Sequence, residues 1–300
     1  MDQHSADVID ALLRGRLVPF LGAGVNLCNR PESPPVNWTR PGEWLPNGTE
    51  LASYLAVRFR YPIRSQSDIE LARVSQFGAT RLGPGALYDE LDDVFHHDYA
   101  LTDVHRFLAS LNFAAPNARL PWARHILIVT SNYDDLMERA ICDSDCDLVF
   151  YDPENPDPGG APRGRFLHKR PGAEPEPIDR PNEYDYPFFE SRAVVLKIHG
   201  TVGRPVVITE DHYIDYLADE AFAKLPKRIL LRLCNSHLLF LGYSLRDWNF
   251  RVFLRRIKRN SSQDFTSWAI VKNIDAEEPE FWRQRARVEI ISRDLREYVT

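Results

Sequence analysis

Two patterns of apolar and polar residues alternate along the chain, and they predict strands and helices in turn. Mainly apolar runs are typical of strands buried on both faces of a sheet, and β-branched residues, as in 125–130, favour a strand further. Six such strands are predicted, at 17–21, 125–130, 193–198, 237–241, 268–271 and 288–291. Helical spacing of apolar residues predicts helices at 49–60, 69–77, 88–95, 102–111, 210–223, 227–233, 246–259 and 279–286, with a short helix after 134. Strands separated by helices imply an α/β fold with a mainly parallel sheet covered on both faces.

Capping residues, glycines and prolines mark where the predicted elements end. Ser5 is the expected N-cap of a first helix that Gly15 terminates, with an expected inward face of Val8, Ile9, Leu12 and Leu13. Prolines cluster in two stretches, with five in 31–46 and nine in 153–187. Because proline lacks an amide hydrogen and fixes φ, neither stretch is expected to form a central strand or a helix interior. Both are predicted to be long surface excursions from the core.

Composition and charge narrow the class of protein. The 300 residues carry a net charge of −6, so a general affinity for nucleic acid is not predicted. No apolar run approaches the roughly 20 residues that span a bilayer, and the acidic start of the chain lacks the features of a signal peptide. The four cysteines, Cys28, Cys142, Cys146 and Cys234, are too few for a disulfide framework. A cytoplasmic protein that acts away from membranes is therefore expected.

A glycine turn follows the first predicted strand. Gly22, Ala23 and Gly24 precede Asn26, and glycines at such a turn let backbone amides approach a pyrophosphate. The dinucleotide fingerprint G-x-G-x-x-G has Leu27 in place of its third glycine. For this motif taken alone, an ordinary turn between a strand and a helix is an equal alternative.

Polar residues crowd the end of the second predicted strand, at Ser131, Asn132, Tyr133 and Asp134. The amide of Asn132 suits a water or a sugar hydroxyl, and the carboxylate of Asp134 suits a ribose hydroxyl. Helix capping is the alternative interpretation, since Ser131 or Asn132 would begin the next helix and Asp134 would favour its dipole. The two interpretations carry equal weight for this motif in isolation.

A histidine followed by a glycine ends the third predicted strand, at His199 and Gly200. A histidine at this place suits a general base at neutral pH, and the alternative is a ring that only bonds a loop carbonyl. The stretch with His96, His97 and His105 has poor spacing for metal ligands, and Cys142 and Cys146 lack a second cysteine pair. No metal site is therefore predicted.

The fourth predicted strand ends in Gly242, Tyr243 and Ser244, and Asp247 follows. Glycine and serine at a strand end suit a phosphate or a ribose. The helix beyond them is basic over 251–259, where a solvated face is favoured about two to one over a binding patch.

Taken in order, these motifs resemble the sirtuin-type NAD-binding domain. Gly-Ala-Gly at the first strand is followed by Ser-Asn-Tyr-Asp, by Ile-His-Gly and by Leu-Gly-Tyr-Ser. The stretches 208–217 and 241–249 are similar, more narrowly, to the SIR2-like branch of bacterial anti-phage defence. The resemblance covers nearly the whole chain. It implies a Rossmann-like, doubly wound sheet in a single domain over 1–300, with insertions at about 30–48 and 150–190 and no zinc module.

The resemblance also implies roles for individual residues. Asn132 and His199 match the family's catalytic asparagine and histidine, and Asn132 with Asp134 matches the pair that holds the nicotinamide ribose and a water. The implied cofactor-binding residues are Gly22, Ala23, Gly24, Asn26, Ser131, Asp134, Gly242, Ser244 and Asp247. NAD is then the substrate, and no metal is implied.

One departure from the deacylating sirtuins bears on the reaction. Those enzymes carry four zinc-binding cysteines between the histidine and the later strand, and here that interval holds only Cys234. The resemblance therefore favours hydrolysis of NAD+ to ADP-ribose and nicotinamide over protein deacylation or ADP-ribosylation. A non-catalytic module that binds NAD or ADP-ribose is the third alternative.

A hydrolase that depletes NAD must be restrained, so the resemblance implies a trigger on another polypeptide. Partners in the family include HerA-type ATPases and short Argonaute proteins, and homo-oligomers are common. Both proline-rich stretches begin beside the predicted site, which makes them candidates for a lid, a gate or a partner-docking surface. Direct binding of nucleic acid by this chain is not expected.

Overall fold

The computed structural model describes residues 2–30, 38, 42–63, 69–114, 125–142, 145–156, 164–218, 221–243, 248–261, 265–272 and 278–300. Its strands are β1 (Leu17–Leu21), β2 (Leu127–Thr130), β3 (Cys146–Asp152), β4 (Arg165–Lys169), β5 (Glu176–Pro177), β6 (Ala193–Lys197), β7 (His237–Leu241), β8 (Ser267–Val271) and β9 (Val288–Ser292). Within these residues they form one sheet in the order β5-β4-β3-β6-β2-β1-β7-β8-β9. The seven strands from β3 to β9 in that order are parallel, and β4 and β5 extend one edge in antiparallel fashion.

Helices cover both faces of this sheet. They are α1 (Gln3–Leu13), α2 (Gly48–Arg58), α3 (Leu71–Leu82), α4 (Pro84–Phe95), α5 (Asp103–Ala114), α6 (Leu136–Ile141), α7 (Glu210–Ala218), α8 (Lys227–Cys234), α9 (Trp248–Asn260), α10 (Glu278–Ala286) and α11 (Leu295–Val299). One face packs against α1, α5, α6 and α11, and the other packs against α7 to α10. The predicted Rossmann-like α/β sheet is confirmed. In the described part of the chain, no helix combines the length and the apolarity needed to cross a bilayer.

A third apolar core lies at the carboxyl edge of the sheet. It is built by α2, α3 and α4, whose inward side chains include Leu55, Val74 and Leu91. Tyr133 and Ile208, which follow β2 and β6 along the chain, pack into the same core. The three helices are therefore anchored next to the turns that leave those two strands.

Strand register brings the predicted motifs to one level. Leu21, the last residue of β1, pairs with Thr130 of β2 and with Leu241 of β7, and Thr130 pairs with Lys197 of β6. The chain moves from β1 towards β2 on one side and returns to β7 on the other, so the order reverses between β1 and β7. Open α/β sheets bind ligands at such a reversal, beyond the carboxyl ends of the strands.

The second proline-rich stretch is not a surface excursion, and this part of the sequence prediction is wrong. Its described residues supply β4 and β5, and its side chains Phe166 and Ile178 are buried in the main core. Proline is compatible with this placement because Pro177 lies in β5, the outermost strand of the described sheet. The apolar residues decide the burial, and the prolines only restrict the segment to the edge.

The first helix also differs from its prediction. Asp2, not Ser5, is the N-cap, and the Asp2 side chain accepts a hydrogen bond from the backbone amide of Ser5 at 2.7 Å. Ile9 and Leu13, expected to face inward, are 44% and 48% exposed. The earlier N-cap does not change which side chains share a helix face. The inward face is centred on Ala11, whose small side chain lets the helix approach the sheet.

Three further differences concern short elements. β3 is not predicted, because Asp147 and Asp152 near its ends interrupt the apolar pattern. α11 is not predicted either, because its five residues are too few to show helical spacing. The helix predicted over 210–223 ends at Ala218, and the chain continues as a 3-10 turn over Ala221–Lys224.

Candidate functional site

A cavity of about 1080 Å³ opens at the carboxyl edge of the sheet. The turns after β1, β2, β6 and β7 line it, together with the start of α2 and the segments that follow β8 and β9. Nine predicted site residues line this cavity: Gly22, Ala23, Gly24, Asn26, Ser131, Asn132, Asp134, His199 and Gly242. The other two, Ser244 and Asp247, lie outside the described residues. Motifs that are far apart in the sequence thus share one cavity.

The glycines allow two turns to touch. The amide of Gly24 donates to the carbonyl of Gly242 at 2.8 Å, and a Cβ on Gly24 would lie 2.6 Å from that carbonyl oxygen. Gly242 has φ +62°, and a Cβ there would lie 2.3 Å from the amide nitrogen of Val25. An ordinary turn between a strand and a helix does not need this contact. The glycines therefore first serve the close packing of the turns after β1 and β7.

Two polar groups of the glycine turn have no partner in the described residues. The backbone amide of Ala23 begins the 3-10 turn over Ala23–Leu27, and no acceptor for it is found there. Asn26 is 5% exposed, and its Nδ2 donates to Oδ2 of Asp134 at 3.0 Å. Oδ1 of Asn26 is buried without a donor in the same described part. A ligand with an oxygen acceptor and a hydroxyl donor would satisfy both groups.

In the turn after β2, one of the candidate capping residues makes the capping contact with α6 and the other two do not. Asp134 provides the capping contact, since its Oδ1 accepts from the amide of Leu136 at 3.2 Å. Ser131 and Asn132 do not begin α6, whose N-cap is Asp135. The amide of Asn132 donates to Oγ1 of Thr130 at 3.0 Å, and Nδ2 of Asn132 donates to the carbonyl of Gly22 at 3.3 Å. Asn132 is thus held at the cavity by contacts that do not involve the helix.

His199 lies just beyond β6 and is only 4% exposed. Its ring meets those of Tyr213 and Tyr216 edge-on, with centroids 5.5 and 5.7 Å away. Gly200 follows with φ +96°, which lets the chain turn sharply after the histidine. The imidazole is therefore packed by α7 on the cavity wall, beside the turn after β2 that carries Asn132.

The sequence patterns do not reveal the far wall of the cavity. Beyond β8 and β9 this wall includes Lys272, Arg293 and Asp294. Nζ of Lys272 lies 3.0 Å from Oδ2 of Asp294, and Arg293 pairs with Asp2 at 3.3 Å. These residues carry no motif, and their position follows only from the pairing of β8 with β9.

The basic segment of α9 is largely used inside the molecule. Arg251 lies over the ring of Trp282 at 5.1 Å, Arg256 donates to the carbonyl of Leu217, and Lys258 donates to the carbonyl of Phe265. Arg255 and Arg259 are exposed. None of these five is a lining residue of the cavity in the described part of the chain.

We expect the stability of the fold to fall below pH 6.5, in part through His105. Burial lowers the pKa of this histidine from 6.5; Asp134 opposes the shift and Arg106 adds to it. The unfolded chain then binds a proton that the folded chain does not, so acid favours unfolding. Urea unfolding between pH 5 and 7.5 should show a weaker loss of stability in His105→Gln than in the wild type.

His96→Gln is the matched control, because Asp92 raises the pKa of His96 and the sign of its contribution is reversed. Identical pH profiles for His105→Gln and the wild type would contradict the role of His105.

A family model described as the SIR2-like domain matches residues 126–291, more than half of the chain. The chain belongs to the SIR2-like family. The matched span starts just before β2 and ends within β9, so it contains the turns that carry Asn132, His199 and Gly242. No curated protein gives a significant match.

Family membership implies that this SIR2-like chain binds NAD, and the cavity fits such a ligand. Its volume of about 1080 Å³ lies above the roughly 300–1,000 Å³ of ordinary small-molecule sites. The amide of Ala23 suits a phosphate oxygen, and the buried Oδ1 of Asn26 suits a ribose hydroxyl. Across the described residues, no cluster of three or more histidine, cysteine, aspartate or glutamate side chains is arranged to hold a metal.

Proposed function

We propose that this SIR2-like chain hydrolyses NAD+ to ADP-ribose and nicotinamide. One observation carries the proposal: Asn132 and His199 follow neighbouring strands and line the same cavity as the glycine turn. A dinucleotide with its pyrophosphate at that turn would bring one ribose towards both side chains.

The two ends of the cavity differ in chemistry, which supports one orientation of the dinucleotide. The end at β2 and β6 combines an amide, a carboxylate and an imidazole, from Asn132, Asp134 and His199. The end beyond β8 and β9 carries the ion pair of Lys272 with Asp294. We assign the nicotinamide half to the first end, because an amide that can orient a water lies there beside an imidazole that can accept its proton.

NAD+ supplies a leaving group, nicotinamide, whose positive charge makes an acid catalyst unnecessary. Nδ2 of Asn132 is held by the carbonyl of Gly22, and the remaining oxygen of that amide would orient a water. His199 would hold a ribose hydroxyl or accept the proton of that water. The buried carboxylate of Asp134 would stabilise positive charge that develops on the ribose, an interaction strengthened by exclusion of solvent.

The sequence between His199 and Leu238 supports water, rather than a protein side chain, as the group that accepts ADP-ribose. Between His199 and Leu238 the sequence holds Cys234 alone, so four zinc-binding cysteines are absent from it. Cys234 is itself buried at the end of α8 against the sheet. The module that helps to form an acyl-lysine groove in deacylating sirtuins has no counterpart here.

We further propose that the hydrolase depletes NAD as the effector of a bacterial anti-phage defence system. The likeness of 208–217 and 241–249 to that branch supports this role. Uncontrolled loss of NAD would harm the host, so a separate sensor would trigger activity, such as a HerA-type ATPase or a short Argonaute protein. A homo-oligomer is the expected form of the effector.

Product analysis tests the proposed reaction. The purified chain, alone and with the proteins encoded beside it, is incubated with NAD+, and nicotinamide, ADP-ribose and protein-bound ADP-ribose are quantified. Hydrolysis predicts nicotinamide and ADP-ribose in equal amounts. ADP-ribose attached to protein or to an acyl group would contradict hydrolysis and show that the chain is a transferase. Tight binding of NAD+ without turnover in every mixture would identify a binding module.

A further inference from the structure

A lysine is fully buried in the centre of the sheet, two residues before His199. Lys197 ends β6 between β2 and β3, and its exposed fraction is 0%. Its Nζ donates to Oε1 of Glu138 at 2.8 Å, to the carbonyl of Tyr133 at 3.1 Å and to the carbonyl of Asp134. All three donor hydrogens of the ammonium are thus used on the segment that follows β2.

Stability of the core does not explain this arrangement. A buried ion pair contributes little more than an apolar pair of the same size, because both charges lose their hydration. Burial raises the pKa of Glu138, which the ammonium of Lys197 opposes, and Oε2 of Glu138 has no partner among the described residues. A leucine or methionine at 197 would continue the apolar run of β6 without these penalties.

The contacts instead fix the turn that presents Asn132 and Asp134. After Thr130 the regular pairing of β2 stops, so the peptide groups of this turn need other partners. The carbonyl of Tyr133 accepts from Lys197 and also from the amide of Val202, at 3.0 Å. Lys197 thereby joins the Asn132 side of the cavity to the segment that carries His199.

We propose that Lys197 is a positioning residue for the site: it clamps two consecutive carbonyls of the turn so that Asn132 and Asp134 face the cavity beside His199. The inference rests on the proposed function, since the turn matters here as part of an NAD+ site. Misplacement of a reacting group by about 1 Å can lower a rate about 100-fold, so loss of the clamp should lower kcat strongly.

If Lys197 acted through its charge, loss of the lysine would change the reaction rate in the opposite direction. If the ammonium acted by its charge, it would oppose the positive charge that develops on the ribose. Lys197→Met would then speed the reaction, and Glu138→Gln, which leaves the ammonium unbalanced, would slow it. As a clamp, Lys197 is needed for turnover, whereas Glu138→Gln keeps an oxygen that accepts from Nζ.

The test compares Lys197→Met, Glu138→Gln and the apolar pair Lys197→Met/Glu138→Met. Lys258→Met is the matched control, because Lys258 is a half-buried lysine that donates to the carbonyl of Phe265 and to Ser267 on β8, four strands away from β6. Each variant is measured for kcat and KM with NAD+, for binding of ADP-ribose by calorimetry, and for thermal unfolding.

We expect Lys197→Met and the apolar pair to lose about 10- to 100-fold in kcat and to bind ADP-ribose more weakly. Glu138→Gln should stay within about fivefold of the wild type. Lys258→Met should melt earlier and keep its kcat. The apolar pair removes the uncompensated charge, so it should fold even where Lys197→Met does not.

Wild-type kcat and ADP-ribose affinity in the apolar pair, or faster turnover in Lys197→Met, would overturn the positioning role. Failure of both Lys197 variants to fold would overturn it as well and make Lys197 a folding residue. If the wild type binds ADP-ribose but consumes no NAD+, either alone or with the proteins encoded beside it, hydrolysis fails as the function. The binding comparison then still decides the role of Lys197.

Discussion

Asn132→Ala and His199→Ala will each lower NAD+ cleavage by at least about 100-fold, the usual loss when a group that positions or deprotonates the nucleophile is removed. Asn132→Ala removes the amide held against the carbonyl of Gly22, and His199→Ala removes the ring packed by Tyr213 and Tyr216. Nicotinamide release is measured at saturating NAD+ under conditions in which the wild type turns over.

Two controls separate lost chemistry from a lost fold. Asn260→Ala and His96→Ala make the same substitutions at exposed positions, at the end of α9 and just after α4, and should leave the rate unchanged. Both site variants should melt close to the wild type. Retention of most of the NAD+ cleavage by either site variant would remove that residue from the proposed mechanism.

Gly242→Ala will destabilise the protein by about 2–5 kcal/mol, the second large effect we expect. About 1–2 kcal/mol follows from an alanine at positive φ, and about 1–3 kcal/mol follows from the contact of its Cβ with the turn after β1. That Cβ would lie 2.3 Å from the amide nitrogen of Val25 and 2.6 Å from the carbonyl carbon of Gly24. Relief of the clash would push the glycine turn out of place, so ADP-ribose binding should fall with stability.

Comparison with Gly172→Ala isolates the steric part of this effect. Gly172 has φ +69°, but no atom lies within 4 Å of a Cβ added there. It should lose only about 1–2 kcal/mol and should bind ADP-ribose like the wild type. Urea unfolding of the two variants measures the difference. Equal losses would show that the turns after β1 and β7 do not need their close contact.

Much of the parallel sheet follows from apolar patterning alone. Runs such as 193–198 and 237–241 are too apolar for an exposed position, and the β-branched residues of 193–198 also suit a strand. The motifs at their ends could be grouped into one site because parallel strands bring their carboxyl ends to one edge. The cavity that Gly22, Asn132, His199 and Gly242 share is the structural form of that grouping.

The rest depends on contacts that no local pattern encodes. Phe166 and Ile178 are buried within a proline-rich stretch, because the fold adds strands at an edge where missing amide hydrogens are tolerated. The clamp by Lys197 requires the turn after β2 to lie against β6, which only the pairing of those strands provides. A lysine within an otherwise apolar strand was the available signal, and its partner Glu138 lies on a different element.

The structure of this SIR2-like chain with ADP-ribose tests the central claim most directly, because it needs neither turnover nor a trigger. We expect the pyrophosphate within hydrogen-bonding distance of the Ala23 amide, the adenosine half towards Lys272 and Asp294, and the terminal ribose between Asn132 and His199. ADP-ribose bound elsewhere, or bound with its adenine beside His199, would contradict the proposed site.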